Sequence, residues 1–240
     1  MAVTLNTDAL EQYRDWLDNA MRHYYPDDVM TEHYGRVPLS RYHTFKKCFD
    51  ALQGRDSLVI AELGTTRSFR DGETAQSRRK WRPKEPAVWD WSAGCFTRVA
   101  SEIVAGAGAK IYSIDLSKDA LKVSKTMCSD YLSFVEYQQT SSEEFLKSFS
   151  GTIDLLYLDT GNMDEETAEL HLREAEILAK SAVLKPDSLV LIDDVRNPYM
   201  KIHNGEPSDY GKSKYSIPYL VENGFEIVMD EYQVIMRKVG

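Results

Sequence analysis

Five carboxylates stand at or near the ends of apolar runs, and their order along the chain points to a shared site. Glu62 lies in Leu58-Val-Ile-Ala-Glu-Leu-Gly64, Asp115 closes Ala109-Lys-Ile-Tyr-Ser-Ile-Asp, and Asp159 closes Ile153-Asp-Leu-Leu-Tyr-Leu-Asp. Asp193 and Asp194 close Ser188-Leu-Val-Leu-Ile-Asp-Asp. Short apolar runs of this kind read as strands of a mostly parallel sheet, buried on both faces. In such sheets ligands lie outside the carboxyl ends of the strands, where all five acids would emerge. Carboxylates gathered there repel one another unless a cation or a hydroxyl ligand engages them. Gly64 allows a sharp turn and close backbone approach to a ligand. An acid at the tip of a second strand commonly takes the ribose hydroxyls of a nucleoside, which is the role expected of Asp115. Asp159, Asp193 and Asp194 make an all-oxygen set that suits a hard divalent cation; helix caps and hydrogen-bonded turn residues are the alternative reading of the same three. Neighbouring strand residues point to opposite faces, so Asp193 and Asp194 can act together only if the strand has ended. The Arg196-Asn-Pro that follows makes such a turn plausible.

The elements that must carry these acids follow from periodicity. Helical spacing covers Asp8 to Tyr24 and Ser40 to Leu52, then Phe96 to Ala105, Ser117 to Tyr131, Glu143 to Phe149, Asp164 to Leu184 and Ser216 to Asn223. Gly106-Ala-Gly stops one helix, and Ser117 and Ser141 or Ser142 cap others. A short strand at Phe134–Tyr137 and a closing hairpin, Phe225–Met229 with Gln233–Arg237, complete the set. Alternating strands and helices with a terminal hairpin imply an α/β fold: a seven-stranded, mostly parallel sheet with one antiparallel edge strand, helices on both faces and extra N-terminal helices. Residues 1–54 read as a helical extension and 55–240 as the main domain. A tight strand-to-helix turn needs only a few residues, yet an insertion at about 65–90 intervenes after Gly64. It carries Arg67, Arg70, Arg78, Arg79, Lys80, Arg82 and Lys84, either as a solvated loop or as a lid that grips an anion. Gly94 opens the helix beyond it and should complete the ligand cradle.

Composition excludes several classes. The chain has 240 residues, 42% hydrophobic, and a net charge of −9, which argues against general nucleic-acid binding. No apolar stretch approaches the roughly 20 residues that span a bilayer. Cys48, Cys95 and Cys128 are widely separated and suggest reduced thiols in a cytoplasmic protein rather than disulfides or a zinc site. His43 reads as a packed or exposed histidine. His171, early in the helix after the fourth strand, is the best-placed histidine for a general base, with a structural role as the alternative.

Glu-Leu-Gly at 62–64, the acid at Asp115, Asp-Leu-Leu-Tyr-Leu-Asp159 and Leu184-Lys-Pro-Asp-Ser-Leu-Val-Leu-Ile-Asp-Asp resemble the class I S-adenosylmethionine-dependent methyltransferases. The resemblance covers roughly Leu58 to Lys238 and implies their Rossmann-like sheet. It implies that Glu62, Gly64, Thr65, Gly94, Asp115, Leu116 and Asp159 face S-adenosylmethionine. The likeness is strongest to small-molecule O-methyltransferases, whose metal-dependent branch implies Mg²⁺ at Asp159, Asp193 and Asp194. His171 and Asp159 are then the candidate catalytic groups. Gly64 is followed by Thr-Thr-Arg rather than by closely spaced glycines, a departure from the family. The expected reaction is O-methylation of a small hydroxyl compound of natural-product or sugar type. The expected partners are that acceptor, anionic if the basic run grips it, and a second copy in a homodimer, with no nucleic acid and no membrane. A non-catalytic adenosine-ligand-binding module is the alternative from another class. An NAD(P)-dependent oxidoreductase is disfavoured because G-x-G-x-x-G is missing after the first strand.

Overall fold

A computed structural model describes residues 2–19, 40–70, 81–195 and 211–239. Its centre is a seven-stranded sheet: β1 (Val59–Leu63), β2 (Lys110–Asp115), β3 (Val135–Gln139), β4 (Ile153–Leu158), β5 (Leu184–Ile192), β6 (Phe225–Asp230) and β7 (Val234–Lys238), in the order β3-β2-β1-β4-β5-β7-β6. Pairing is parallel from β3 through β5. The antiparallel strand expected from the hairpin is β7, seated between β5 and the edge strand β6. The chain order reverses beside β1, the kind of switch point at which open α/β sheets bind ligands.

Seven α-helices lie among the described residues: α1 (Arg14–Asn19), α2 (Tyr42–Leu52), α3 (Phe96–Val104), α4 (Lys118–Met127), α5 (Ser142–Ser148), α6 (Glu165–Lys180) and α7 (Ser216–Glu222). Strand side chains alternate between the two faces. Ile60, Ile111, Leu155, Tyr157, Leu189 and Leu191 pack with α2, α3 and the N-terminal segment, whereas Ala61, Leu63, Leu156, Leu158, Val190 and Ile192 pack with α5, α6 and α7. The N-terminal residues Val3, Leu5, Leu10, Tyr13, Trp16 and Leu17 belong to the same apolar cluster as Phe45, Phe49 and Phe96. The extension is therefore part of the sheet's own core. The expected first helix begins instead as a 3-10 turn, Thr7–Tyr13, that continues into α1; the remainder of that expectation, beyond residue 19, lies outside the described residues.

The expectation that a helix runs to Leu184 needs correction. α6 ends at Lys180, and Leu184 already belongs to β5, opposite Ile153. The reason is a bulge. Pro186 cannot donate to a ladder and is tolerated where pairing is interrupted. The register shifts there, Asp187 takes a φ of +66°, and the Ser188 hydroxyl accepts from the Lys185 N–H at 3.1 Å.

At this amino end of the sheet, buried Asp154 accepts from the Val59 N–H at 2.9 Å and from Arg55 and Lys185 at 2.7 Å each. Burial alone would raise its pKa, but the bonds from Lys185, Val59 and Arg55 outweigh it and hold the carboxyl below its usual value. A lowered folded pKa stabilises the fold fully above the unfolded value of about 3.9, and the stabilisation disappears as pH falls through the folded value. Asp154→Asn should cost about 1.5–3 kcal/mol in urea unfolding at pH 7. The gap to wild type should stay constant down to about pH 5 and close below about pH 4; a pH-independent gap would refute the assignment.

Candidate active site

The acids at the strand ends form one row. Leu63 is in register with Ile114 and Leu158, and Leu158 with Ile192. The next residue on each strand is Gly64, Asp115, Asp159 and Asp193. Backbone bonds extend the ladder by that one step: Gly64 N–H donates to Ile114 at 2.9 Å, Asp159 N–H to Leu63 at 2.9 Å and Asp193 N–H to Leu158 at 3.0 Å. Gly64 has a φ of +82°, and a Cβ there would overlap the Asp159 carbonyl oxygen, so glycine is required for both conformation and space.

Glu62 sits two residues below this row and is fully buried. Its carboxylate accepts from the hydroxyls of Thr65 at 2.7 Å, Thr97 at 2.5 Å and Ser113 at 2.9 Å, and from the Thr97 N–H at 3.3 Å. Burial raises its pKa, and those donors oppose the shift. Asp115 accepts from the Thr65 N–H at 2.9 Å and the Ser117 N–H at 2.7 Å, one on each oxygen. Each oxygen keeps a second lone pair. Leu116, next in sequence, is 69% exposed. Gly94, with a φ of +72°, precedes left-handed Cys95 at the start of α3. A Cβ on Gly94 would lie 3.4 Å from Asp159 Oδ2, so this loop passes directly over the tip of β4.

The far half of the row is wired to two buried cations. Asp193 receives the Arg41 guanidinium on both oxygens, with Nε at 3.2 Å. Tyr157 donates to it at 2.7 Å and the Gln233 amide at 2.9 Å. Burial would raise the Asp193 pKa, but Arg41 outweighs burial and lowers it. Arg41 also donates to the Trp91 carbonyl and lies 4.0 Å over the Trp91 ring. Asp194 has a φ of +57°, so the strand has ended and the chain turns, as the joint use of Asp193 and Asp194 requires. Asp194 accepts from the Tyr232 hydroxyl and pairs with Lys212 at 3.3 Å. Lys212 Nζ also donates to Asp159 Oδ1 at 2.7 Å and is only 1% exposed. The Asp159 pKa is pushed up to about 7 by burial, which Lys212 opposes and Asp193 and Asp194 reinforce.

Asp159, Asp193 and Asp194 each offer a carboxylate oxygen, all within 4.8 Å of one another. The grouping inferred for Mg²⁺ is therefore present, but the set does not fit the ion. Mg²⁺ needs oxygens at about 2.0–2.1 Å in near-octahedral array. Here both Asp193 oxygens hold Arg41, and Lys212 holds Asp159 and Asp194. An ion among them would meet an ammonium buried in the same place.

His171 does not serve as a base in this arrangement. Fully buried, it places Nε2 3.1 Å from the Thr160 carbonyl and Nδ1 2.9 Å from the Ser213 hydroxyl. A carbonyl only accepts, so Nε2 carries the proton and Nδ1 accepts from Ser213. Burial, reinforced by Lys212, lowers its pKa to about 3. Its work is to hold the Gly211–Ser213 turn that carries Lys212. In the basic insertion, Arg82 pairs with Glu85 at 2.8 Å and Arg67 reaches the Ser92 hydroxyl at 3.4 Å; Arg78, Arg79 and Lys80 lie outside the described residues.

Arg41 and Lys212 were not singled out by sequence reasoning. Lys212 stands in a Gly-Lys-Ser-Lys loop without periodicity. Arg41 did carry a signal: a cation at a helix N-terminus opposes the macrodipole and so implies a specific acid partner. Removing the guanidinium leaves Asp193 buried and unpaired, which costs about 3–5 kcal/mol. Arg41→Met should lower urea stability by that amount, and adding Asp193→Asn should restore at least half. Additive losses in the double variant would show that the two do not form a coupled pair.

The fold has a counterpart among known proteins. Residues 91–195 match the family model described as a methyltransferase domain. The structure of an S-adenosylhomocysteine-bound methyltransferase from Podospora anserina, PaMTH1, is 15% identical and superposes with a TM-score of 0.55 over 99% of this chain and 91% of its own. N-methyltransferase NodS of Bradyrhizobium japonicum is 12% identical, with a TM-score of 0.48 over 83% of this chain and 98% of its own. Fibrillarin of Aeropyrum pernix, with natively bound S-adenosylmethionine, is 16% identical, with a TM-score of 0.41 over 75% and 65%. No curated protein matches the sequence. The chain thus carries a methyltransferase-domain match from the loop before α3 to the end of β5, within a fold shared with an S-adenosylhomocysteine-bound methyltransferase.

Proposed function

We propose that the enzyme transfers the methyl group of S-adenosylmethionine to a hydroxyl of a small molecule, with the cofactor lying across the tips of β1, β2 and β4. The observation that carries this reading is the single row Gly64–Asp115–Asp159–Asp193, one residue beyond the registered ends of four parallel strands. Asp115 takes the ribose hydroxyls with its remaining lone pairs, and exposed Leu116 covers one face of the adenine. Thr65 acts as a strut, its N–H on Asp115 and its hydroxyl on Glu62. Glu62, with four donors around it, stiffens the cradle from beneath.

Three carboxylates and two cations, counted formally, leave one negative charge beside the β4 tip (−3 + 2 = −1). That balance suits a sulfonium, whose positive charge is lost on transfer. S-adenosylmethionine, when bound, would supply an electrophilic methyl group on a sulfonium, and its transfer to an acceptor oxygen would leave a neutral thioether. The hydroxyl proton passes to Asp159, whose Oδ1 is anchored by Lys212 while Oδ2 lies beside Gly94. A small acceptor agrees with an acidic chain that lacks the basic footprint of nucleic-acid enzymes. Arg67, at the rim, favours an acceptor bearing negative charge.

Asp115→Ala should weaken S-adenosylmethionine binding in calorimetry by roughly 2–4 kcal/mol, the loss of two charge-assisted hydrogen bonds discounted for overlap; unchanged affinity would remove Asp115 from the cofactor site. Asp159→Asn should lower kcat by about 10²–10⁴-fold in S-adenosylhomocysteine release over a panel of hydroxylated acceptors, with cofactor affinity within a few-fold of wild type. Full turnover in that variant would exclude Asp159 as the base.

A further inference from the structure

The ends of β4 and β5 carry acids in the positions where a metal would bind, together with a cation that the chain supplies itself. Lys212 Nζ lies 2.7 Å from Asp159 and 3.3 Å from Asp194, bridging carboxylates of two neighbouring strands as a divalent ion would. Its delivery is built into the backbone. Gly211 has a φ of +51°, and a Cβ there would come within 2.7 Å of the carbonyl oxygens of Asp194 and Val195. Only glycine lets the turn press against the end of β5 and send the next side chain inward. Ser213 of the same turn is bonded to His171, and His171 to Thr160, one residue past Asp159. The third acid of the set, Asp193, is withdrawn into its own pair with Arg41.

We propose that the Lys212 ammonium is a tethered cation that takes the place of a divalent metal, making this methyltransferase metal-independent, and that its removal uncovers a latent divalent-cation site at Asp159 and Asp194. An ammonium fixes the acids with up to three N–H donors but offers no open coordination position. It cannot bind an acceptor hydroxyl as a metal does, so proton removal falls to a carboxylate. The functional half of the proposal rests on the assignment of this sheet edge to methyl transfer. The cation-site half is read without any acceptor.

The test is Mn²⁺ binding to chelator-treated full-length protein, followed by the electron paramagnetic resonance signal of the free ion. Wild type should leave that signal undiminished. Lys212→Ala should take up one Mn²⁺ per chain with affinity raised about tenfold or more, since an ammonium within about 4 Å repels a divalent ion. Asp159→Asn added to Lys212→Ala should abolish the uptake. If Lys212→Ala fails to fold, Lys212→Met keeps the apolar stem and is read in the same way. Stoichiometric Mn²⁺ binding by wild type, or no gain on removal of the ammonium in a folded variant, would overturn the proposal. Calorimetry with S-adenosylmethionine on the same samples separates the two ideas: absent cofactor binding counts against the methyltransfer assignment, whichever way the Mn²⁺ experiment falls.

Discussion

The contact between Arg41 and Asp193 sets the terms for the rest of the molecule. A carboxylate fully out of water must be paired or lose its charge, and the pairing here reaches across the fold. Arg41 precedes α2, Asp193 follows β5, and the same guanidinium bonds and stacks on Trp91 in the loop before α3. One side chain thus ties the N-terminal segment, the end of the insertion and the end of a central strand. Tyr157 and Gln233 complete the acid's shell, drawing in β4 and the start of β7. The N-terminal helices are held by this charge as well as by apolar contact, which makes them a wall of the site.

Lys212 applies the same logic one strand over. The row of acids would be untenable without positive charge, and the chain meets the need from segments far from the acids in sequence. Neutral groups then hold the cations in place: His171 stays uncharged because it is buried beside Lys212, and so it can accept from Ser213 and donate to Thr160 together. A histidine that reads as a base in isolation is therefore part of a scaffold for a lysine.

The sheet was legible in the sequence for a physical reason. Strands buried on both faces need continuous apolar runs, and the acids that end them mark where each strand leaves the core. Asp115, Asp159 and Asp193 therefore fall in one row. The partners of those acids were not legible, because a buried cation is recognised by its distance to a carboxylate and sequence carries no such distance. Lys212 lies in a loop without pattern; Arg41 was marked only by its unfavourable place at a helix start. The β5 boundary was misread because Lys185-Pro-Asp looks like a stop, whereas a bulge lets the strand run through it. Gly64 and Gly94 were legible as turns, but their closeness to Asp159 is a matter of packing.

The carboxylate of Glu62 has a further consequence. It accepts from Thr65, where the long insertion departs, and from Thr97, where it has just returned. Both ends of the excursion are fastened to the same two oxygens, so closing the loop does not depend on what lies between them. Lengthening a loop whose ends are already held costs little, since closure entropy grows only logarithmically with length. Within that excursion Trp91 stays bonded to Arg41 and Gly94 stays against the tip of β4, so only changes that spare these contacts leave the cradle undisturbed. The fold thereby fixes both anchor points on one buried carboxylate while leaving the length of the connection between them open.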